Sequence, residues 1–213
     1  MNILIMGAPG TGKGTMSIRI KEHYDVVHVS TGDMLRQAVA DKTPVGLKAQ
    51  EYMNKGALVP DEIIHDIILE RLSKDDIKKG FLFDGYPRTL EQAIDLDKIL
   101  DTLNMKIDYI LNLEVDDEVL KQRITSRRTC SKCKAIYNTR THNPKVEGVC
   151  DICGGEVIQR KDDTLEALNT RLEAYYALTK PVIDYYKKDR QVSSINGDNK
   201  PEIVFEEIKS ILG

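Results

Sequence analysis

Residues Gly7-Ala8-Pro9-Gly10-Thr11-Gly12-Lys13-Gly14-Thr15 constrain this chain more than any other stretch. They follow the apolar run 3–6 and precede a segment, 16–24, that holds neither Gly nor Pro and can carry a helix. Strand, glycine-rich turn and helix in that order is the setting of a loop that cradles nucleotide phosphates. Glycines let backbone N–H groups turn inward, so several donors and the positive end of a helix dipole converge on one anion, with Lys13 reaching the terminal phosphates. A dinucleotide fingerprint would place its third glycine one residue later and has no use for the lysine. Gly14, not Ser or Thr, follows Lys13 and the hydroxyl arrives only at Thr15, so direct Mg²⁺ ligation by that hydroxyl is left open.

Five apolar runs, 3–6, 26–29, 81–83, 109–113 and 192–195, are separated by helix-length segments. The pattern predicts an α/β fold, a five-stranded parallel sheet with helices on both faces, and the continuous runs fit strands buried on both sides. At 213 residues the chain suits one core with small insertions. A net charge of −3 argues against general attraction to nucleic acid or membrane, and no apolar run approaches a membrane span. The opening residues read as a core strand and not as a signal peptide, so a cytoplasmic location and a monomer are expected.

Between the second run and the next core helix, Ser30 or Thr31 caps a helix to about Asp41. Pro44 and Gly46 are expected to break the chain before a helix over 47–54, which Gly56 ends. Residues 30–59 thus read as an inserted, mobile subdomain. The third run leads into Asp84-Gly85-Tyr86-Pro87-Arg88. A carboxylate at a strand's C-terminal end lies on the same edge as the phosphate loop, where Asp84 can hold Mg²⁺ through water; an Asp-Gly turn is the plainer alternative. A helix opening at Asp116 is expected to carry Arg123, Arg127 and Arg128, with 123 and 127 on one face, as dipole partners or for a ligand. Past 160, a helix over 164–188 with a kink at Pro181 is expected.

Cys130-x-x-Cys133 and Cys150-x-x-Cys153, sixteen residues apart, match four-thiolate structural zinc sites. Four thiolates close a tetrahedral shell, so the metal should tie a β-rich flap together and do no chemistry; a redox pair or an iron centre is the alternative for the same ligands.

In combination, Gly-x-Pro-Gly-x-Gly-Lys-Gly-Thr at 7–15, Ser-Thr-Gly-Asp-Met-Leu-Arg at 30–36, Phe-Asp-Gly-Tyr-Pro-Arg at 83–88 with Gln92 four beyond, and Arg160-x-Asp-Asp resemble one family over essentially the whole length. It is the nucleoside-monophosphate kinases, and within them the long-lid, zinc-containing bacterial adenylate kinases. The resemblance implies a phosphate-loop kinase core over 1–213, a nucleoside-monophosphate-binding insert at 30–59 and a zinc-binding lid at 126–163. It implies Mg²⁺-dependent, reversible transfer of the terminal phosphoryl group of ATP to AMP, giving two ADP.

Residue by residue, the family pattern puts Gly10, Thr11, Gly12, Lys13, Gly14 and Thr15 on the ATP phosphates. Arg123, Arg127, Ile136, Tyr137 and the backbone at Asn199 fall on the rest of ATP. Thr31, Arg36, Ala57, Leu58, Val59, Gly85, Tyr86, Pro87, Arg88 and Gln92 fall on AMP, with Arg160 and Arg171 bridging the phosphates. The implied catalytic set is Lys13, Arg88, Arg127, Arg160, Arg171 and Asp84. Met16 stands where many members have Gln, and Cys153 where some have Asp.

Elementary chemistry points the same way. Two phosphate-bearing anions repel unless cations stand between them, and arginine's planar fork suits phosphate oxygens. Water is the competing acceptor, so a closing flap is needed; Asp162 and Asp163 at its base can pair with arginines or simply be solvated helix-start acids. Kinases of UMP, CMP or GMP share the phosphate apparatus and remain rivals, as does a zinc-ribbon binding module with an ATPase switch.

Overall fold

The computed structural model describes all 213 residues. Its central sheet joins β1 (Asn2–Gly7), β2 (Val27–Ser30), β3 (Phe81–Asp84), β4 (Tyr109–Glu114) and β8 (Val192–Asn196) in the order β2-β3-β1-β4-β8, all neighbours parallel. Side chains alternate between the faces of each strand, so one run of apolar residues serves two cores. Leu4, Met6, Phe81, Phe83 and Ile110 pack with α4 (Asp61–Leu72), α5 (Leu90–Thr102) and α8 (Lys180–Tyr186). Ile3, Ile5, Leu82, Leu111 and Leu113 pack with α1 (Lys13–Tyr24) and α9 (Pro201–Leu212) on the other face. Met16 belongs to this second core at 2% exposure.

Chain order reverses about β1: the connection after it leads to β2 on one side, while β4 lies on the other. That switch point opens a crevice at the strands' carboxyl ends. The glycine loop leaves β1 there, and register places Asp84 beside Ile5 and Ser30.

Three sequence expectations are corrected. Pro44 and Gly46 do not break the chain: α3 runs Pro44–Lys55, with Pro44 in its first turn and the Thr43 hydroxyl accepting from the Gly46 N–H at 3.0 Å. Proline in a first turn loses no hydrogen bond, and Gly46 is required because a Cβ there would collide with the Ala38 carbonyl of α2 (Thr31–Ala40). Arg127 and Arg128 are not helical. α6 (Asp117–Ser126) ends first, and both arginines open β5 (Arg127–Cys130), so Arg123 and Arg127 share no helix face. Third, the long helix is interrupted ahead of Pro181, where a π-helical turn over Tyr175–Thr179 joins α7 (Leu165–Ala174) to α8. Widening that turn accommodates a residue that lacks an N–H and crowds the carbonyl four residues back.

The flap forms a second sheet, β5 flanked antiparallel by β6 (Ile136–Asn138) and β7 (Val157–Ile158). No helix is long and apolar enough to cross a membrane.

Candidate active site and cysteine cluster

Lys13 opens α1, and its ammonium folds back over the glycine loop, donating to the carbonyls of Gly7 at 2.7 Å and Ala8 at 2.8 Å. Gly12, just before the helix, has φ 101°, a left-handed conformation that a side chain would strain. Burial, with Arg88, Arg171 and Arg127 nearby, pushes Lys13 down to about 7, although Asp84 works the other way.

Around this loop the fold gathers cations from distant parts of the chain. Arg88 follows β3, Arg127 opens β5, Arg160 follows β7 and Arg171 lies on α7. Burial first, then neighbouring arginines, lower Arg160 and Arg171 to about 10. Carboxylates neutralise part of the cluster. Arg127 grips Asp163 with two nitrogens, Arg171 meets Asp162 at 3.1 Å, and Arg36 meets Asp33 at 2.7 Å. Lys13, Arg88 and Arg160 have no carboxylate partner at ion-pair distance; the Arg88 guanidinium donates only to the Gly85 carbonyl, at 2.6 Å. Burying cationic groups against one another is costly unless an anion joins them.

Asp84 faces the loop with its side chain 14% exposed, 3.4 Å from His28 Nε2 and from the Ser17 hydroxyl. Burial opposes its charge, but His28, Lys13 and Arg88 outweigh it and hold the carboxyl below its ordinary range.

A cavity adjoins the cluster. Thr31, Arg36, residues 57–59, Gly85, Tyr86, Arg88 and Gln92 line it, with Arg171. The sequence reading missed its apolar wall, Leu35, Met53 and Ile64; Asp162, which it placed only at the base of the flap, lines the cavity as well. Those apolar residues carry no signal beyond helix periodicity. Asp33, three residues ahead of Arg36 on one helix, could have been found by spacing. His28 could not, because only strand order brings it to Asp84.

Arg123 stands apart from the cations gathered at the glycine loop. It donates to the Gly197 carbonyl at 2.8 Å and meets Asp198 at 3.3 Å, beside the exposed Asn199 in the loop after β8. The flap reaches the glycine loop through Ile136, whose Cδ1 would lie 3.2 Å from a Cβ on Gly14. Tyr137, the next residue on β6, faces the opposite way: its hydroxyl lies 3.3 Å from Cys150 Sγ and accepts from the Asp151 N–H at 2.8 Å.

All four cysteine sulfurs lie within 4.8 Å of one another, with Cys130–Cys153 and Cys133–Cys150 each at 3.5 Å. A disulfide needs roughly 2 Å. Thiolates about 2.3 Å from a tetrahedral zinc stand roughly 3.7 Å apart, so the donor set fits a closed structural site.

A family model described as adenylate kinase matches residues 5–191. An adenylate kinase of Thermoanaerobacter sp. (strain X514) is 49% identical over 213 residues, covering 100% of this chain and 98% of the relative. That of Carboxydothermus hydrogenoformans is 50% identical over 212 residues, 100% and 99% of the two chains. That of Bacillus subtilis is 46% identical over 213 residues, 100% and 98%.

Proposed function

The chain belongs to the adenylate kinase family, and from that premise we propose that it moves the terminal phosphoryl group of ATP to AMP by arginine and lysine charge stabilisation under a closing lid. The observation that carries this reading is the partly buried group of Lys13, Arg88 and Arg160, which lack carboxylate partners between the glycine loop and the cavity. Phosphoryl transfer asks for positioning and charge stabilisation more than covalent chemistry.

In this proposal the loop amides at 10–15 and Lys13 hold the donor phosphates, and Arg123 with the loop at Asn199 borders the donor's base. Thr31, Arg36 and the cavity hold the acceptor. Arg88, Arg127, Arg160 and Arg171 stand where the phosphates of both meet: Arg88 and Arg171 exchange their present carbonyl and carboxylate contacts for phosphate oxygens, Arg160 offers an unpartnered guanidinium, and Arg127 keeps Asp163 and offers its remaining nitrogen. Mg²⁺ held by Asp84 through water would neutralise donor phosphate charge; a buried carboxylate beside the loop, held in its charged form, suits that role. Ile136, pressed over Gly14, excludes water.

One coupled assay with ATP against AMP, UMP, CMP and GMP tests the reading. AMP-dependent ADP formation is expected; equal turnover with another monophosphate, or ATP hydrolysis indifferent to AMP, overturns it.

Zinc is the metal proposed for the cysteine cluster, since the flap's own buried core is only Cys130, Ala135, Tyr137 and Cys150 and metal binding would supply much of its folding free energy. Cys130→Ser is expected to lower zinc content and melting temperature while the residual closed enzyme keeps its chemistry. Elemental analysis and thermal melting check this, and unchanged values of both would refute the closed-shell site.

A further inference from the structure

We infer that Asp61 sets the base preference of the cavity by locking the side-chain amide of Gln92 in one of its two orientations. Gln92 lines the cavity at 6% exposure. Its Oε1 accepts from the Arg88 backbone N–H at 2.8 Å, and its Nε2 donates to Asp61 Oδ1 at 2.5 Å. Asp61 is itself held, its Oδ2 accepting from the Thr89 hydroxyl at 2.9 Å, while the same hydroxyl accepts from the Gln92 N–H at 3.1 Å. A backbone N–H can only donate and an ionised carboxylate can only accept. Turning the amide over would therefore set donor against donor at Arg88 and oxygen against carboxylate at Asp61.

What the amide has left is one lone pair on Oε1 and one hydrogen on Nε2, in a fixed order. A 6-aminopurine presents an amino donor beside a ring-nitrogen acceptor; a 6-oxopurine presents an acceptor beside an N–H donor. A freely turning amide serves either edge, and a locked one serves a single edge. Sites that would be left with unpaired buried polar groups reject the wrong partner strongly. Asp61, which opens α4 outside the conspicuous motifs, is thus a positioning residue acting through Gln92.

This inference rests on reading the cavity as the AMP site, and the test keeps the two apart. With saturating ATP, kcat/KM is measured for AMP and for inosine monophosphate, whose base differs from adenine in its 6-oxo group and N1–H. If the wild-type protein does not use AMP, the functional reading fails. Given a wild-type preference for AMP, Asp61→Asn supplies a side chain that can donate as well as accept, removing the barrier at one end of the amide. The AMP to inosine monophosphate ratio is expected to fall about tenfold, or ~1.4 kcal/mol. Asp61→Ala, which removes the partner altogether, should lower it too, so that failure of one variant to fold leaves the other. A merely structural Asp61 would depress both substrates together and lower the melting temperature with the ratio unchanged, and that result overturns the inference.

Discussion

Arg88→Lys is expected to lower AMP-dependent ADP formation by on the order of 10³-fold, the scale set by arginines that stabilise transferring phosphoryl groups. Two losses combine. Lysine cannot reproduce the planar fork whose Nε already donates to Gly85 and whose remaining nitrogens are free for phosphate oxygens. Burial also drives down even the Arg88 guanidinium, and it takes neighbouring Lys13 down to about 7. A lysine at 88 would be subject to the same lowering from a lower starting point and would lose its charge more readily than arginine. The sign follows: residual activity of the variant should rise as pH falls from 8 toward 6. The backbone contacts at this position, N–H to Gln92 and carbonyl to Thr179, do not depend on the side chain, so the melting temperature should hold. Steady-state kinetics across pH with a thermal melt check the prediction. Near-normal turnover in a folded variant would remove Arg88 from the transfer step.

The parts of the molecule legible in sequence are those whose residues are fixed by local chemistry. The inner strands β1, β3 and β4 appear as apolar runs because they are buried on both faces, the edge strands β2 and β8 bury only Val29 and Ile195 and show shorter or mixed runs, and the glycine loop and four cysteines announce themselves through spacing. Gly46 misled because glycine usually marks a break, while here it permits close approach to Ala38, a contact between two helices that no local pattern encodes. Arg127 misled because Ile124, Ser126 and the residues after them continue a helical pattern, whereas flap pairing of Arg127 with Asn138 decides for a strand. The hydrogen bond from Gln92 to Asp61 and the approach of His28 to Asp84 join segments 31 and 56 residues apart, and only the assembled fold discloses them.

The Arg127–Asp163 pair is the second place where a large effect is expected. The two residues stand at opposite ends of the flap segment, one opening β5 and the other preceding α7, and the Asp163 backbone carbonyl also accepts from Gln159 at 2.8 Å. Were the acids at 162 and 163 ordinary solvated helix-start residues, their loss would matter little, since exposed ion pairs contribute about 0–1 kcal/mol. Asp163 is instead 0% exposed and the Arg127 side chain 16%. Removing one member of a buried pair strands the other charge, at a cost of about 3–5 kcal/mol. Asp163→Asn should accordingly lower the melting temperature by on the order of 10 °C for a chain of this size. It should also lower kcat, because Arg127 would lose the partner that orients it beside Lys13 and Arg171. Asp162→Asn supplies the internal comparison: its side chain is 19% exposed and holds Arg171 by a single contact, so a clearly smaller shift is expected there. Equal melting temperatures for the two variants would mean that burial does not set the strength of these pairs, and Asp163 would then be no clasp at the base of the flap.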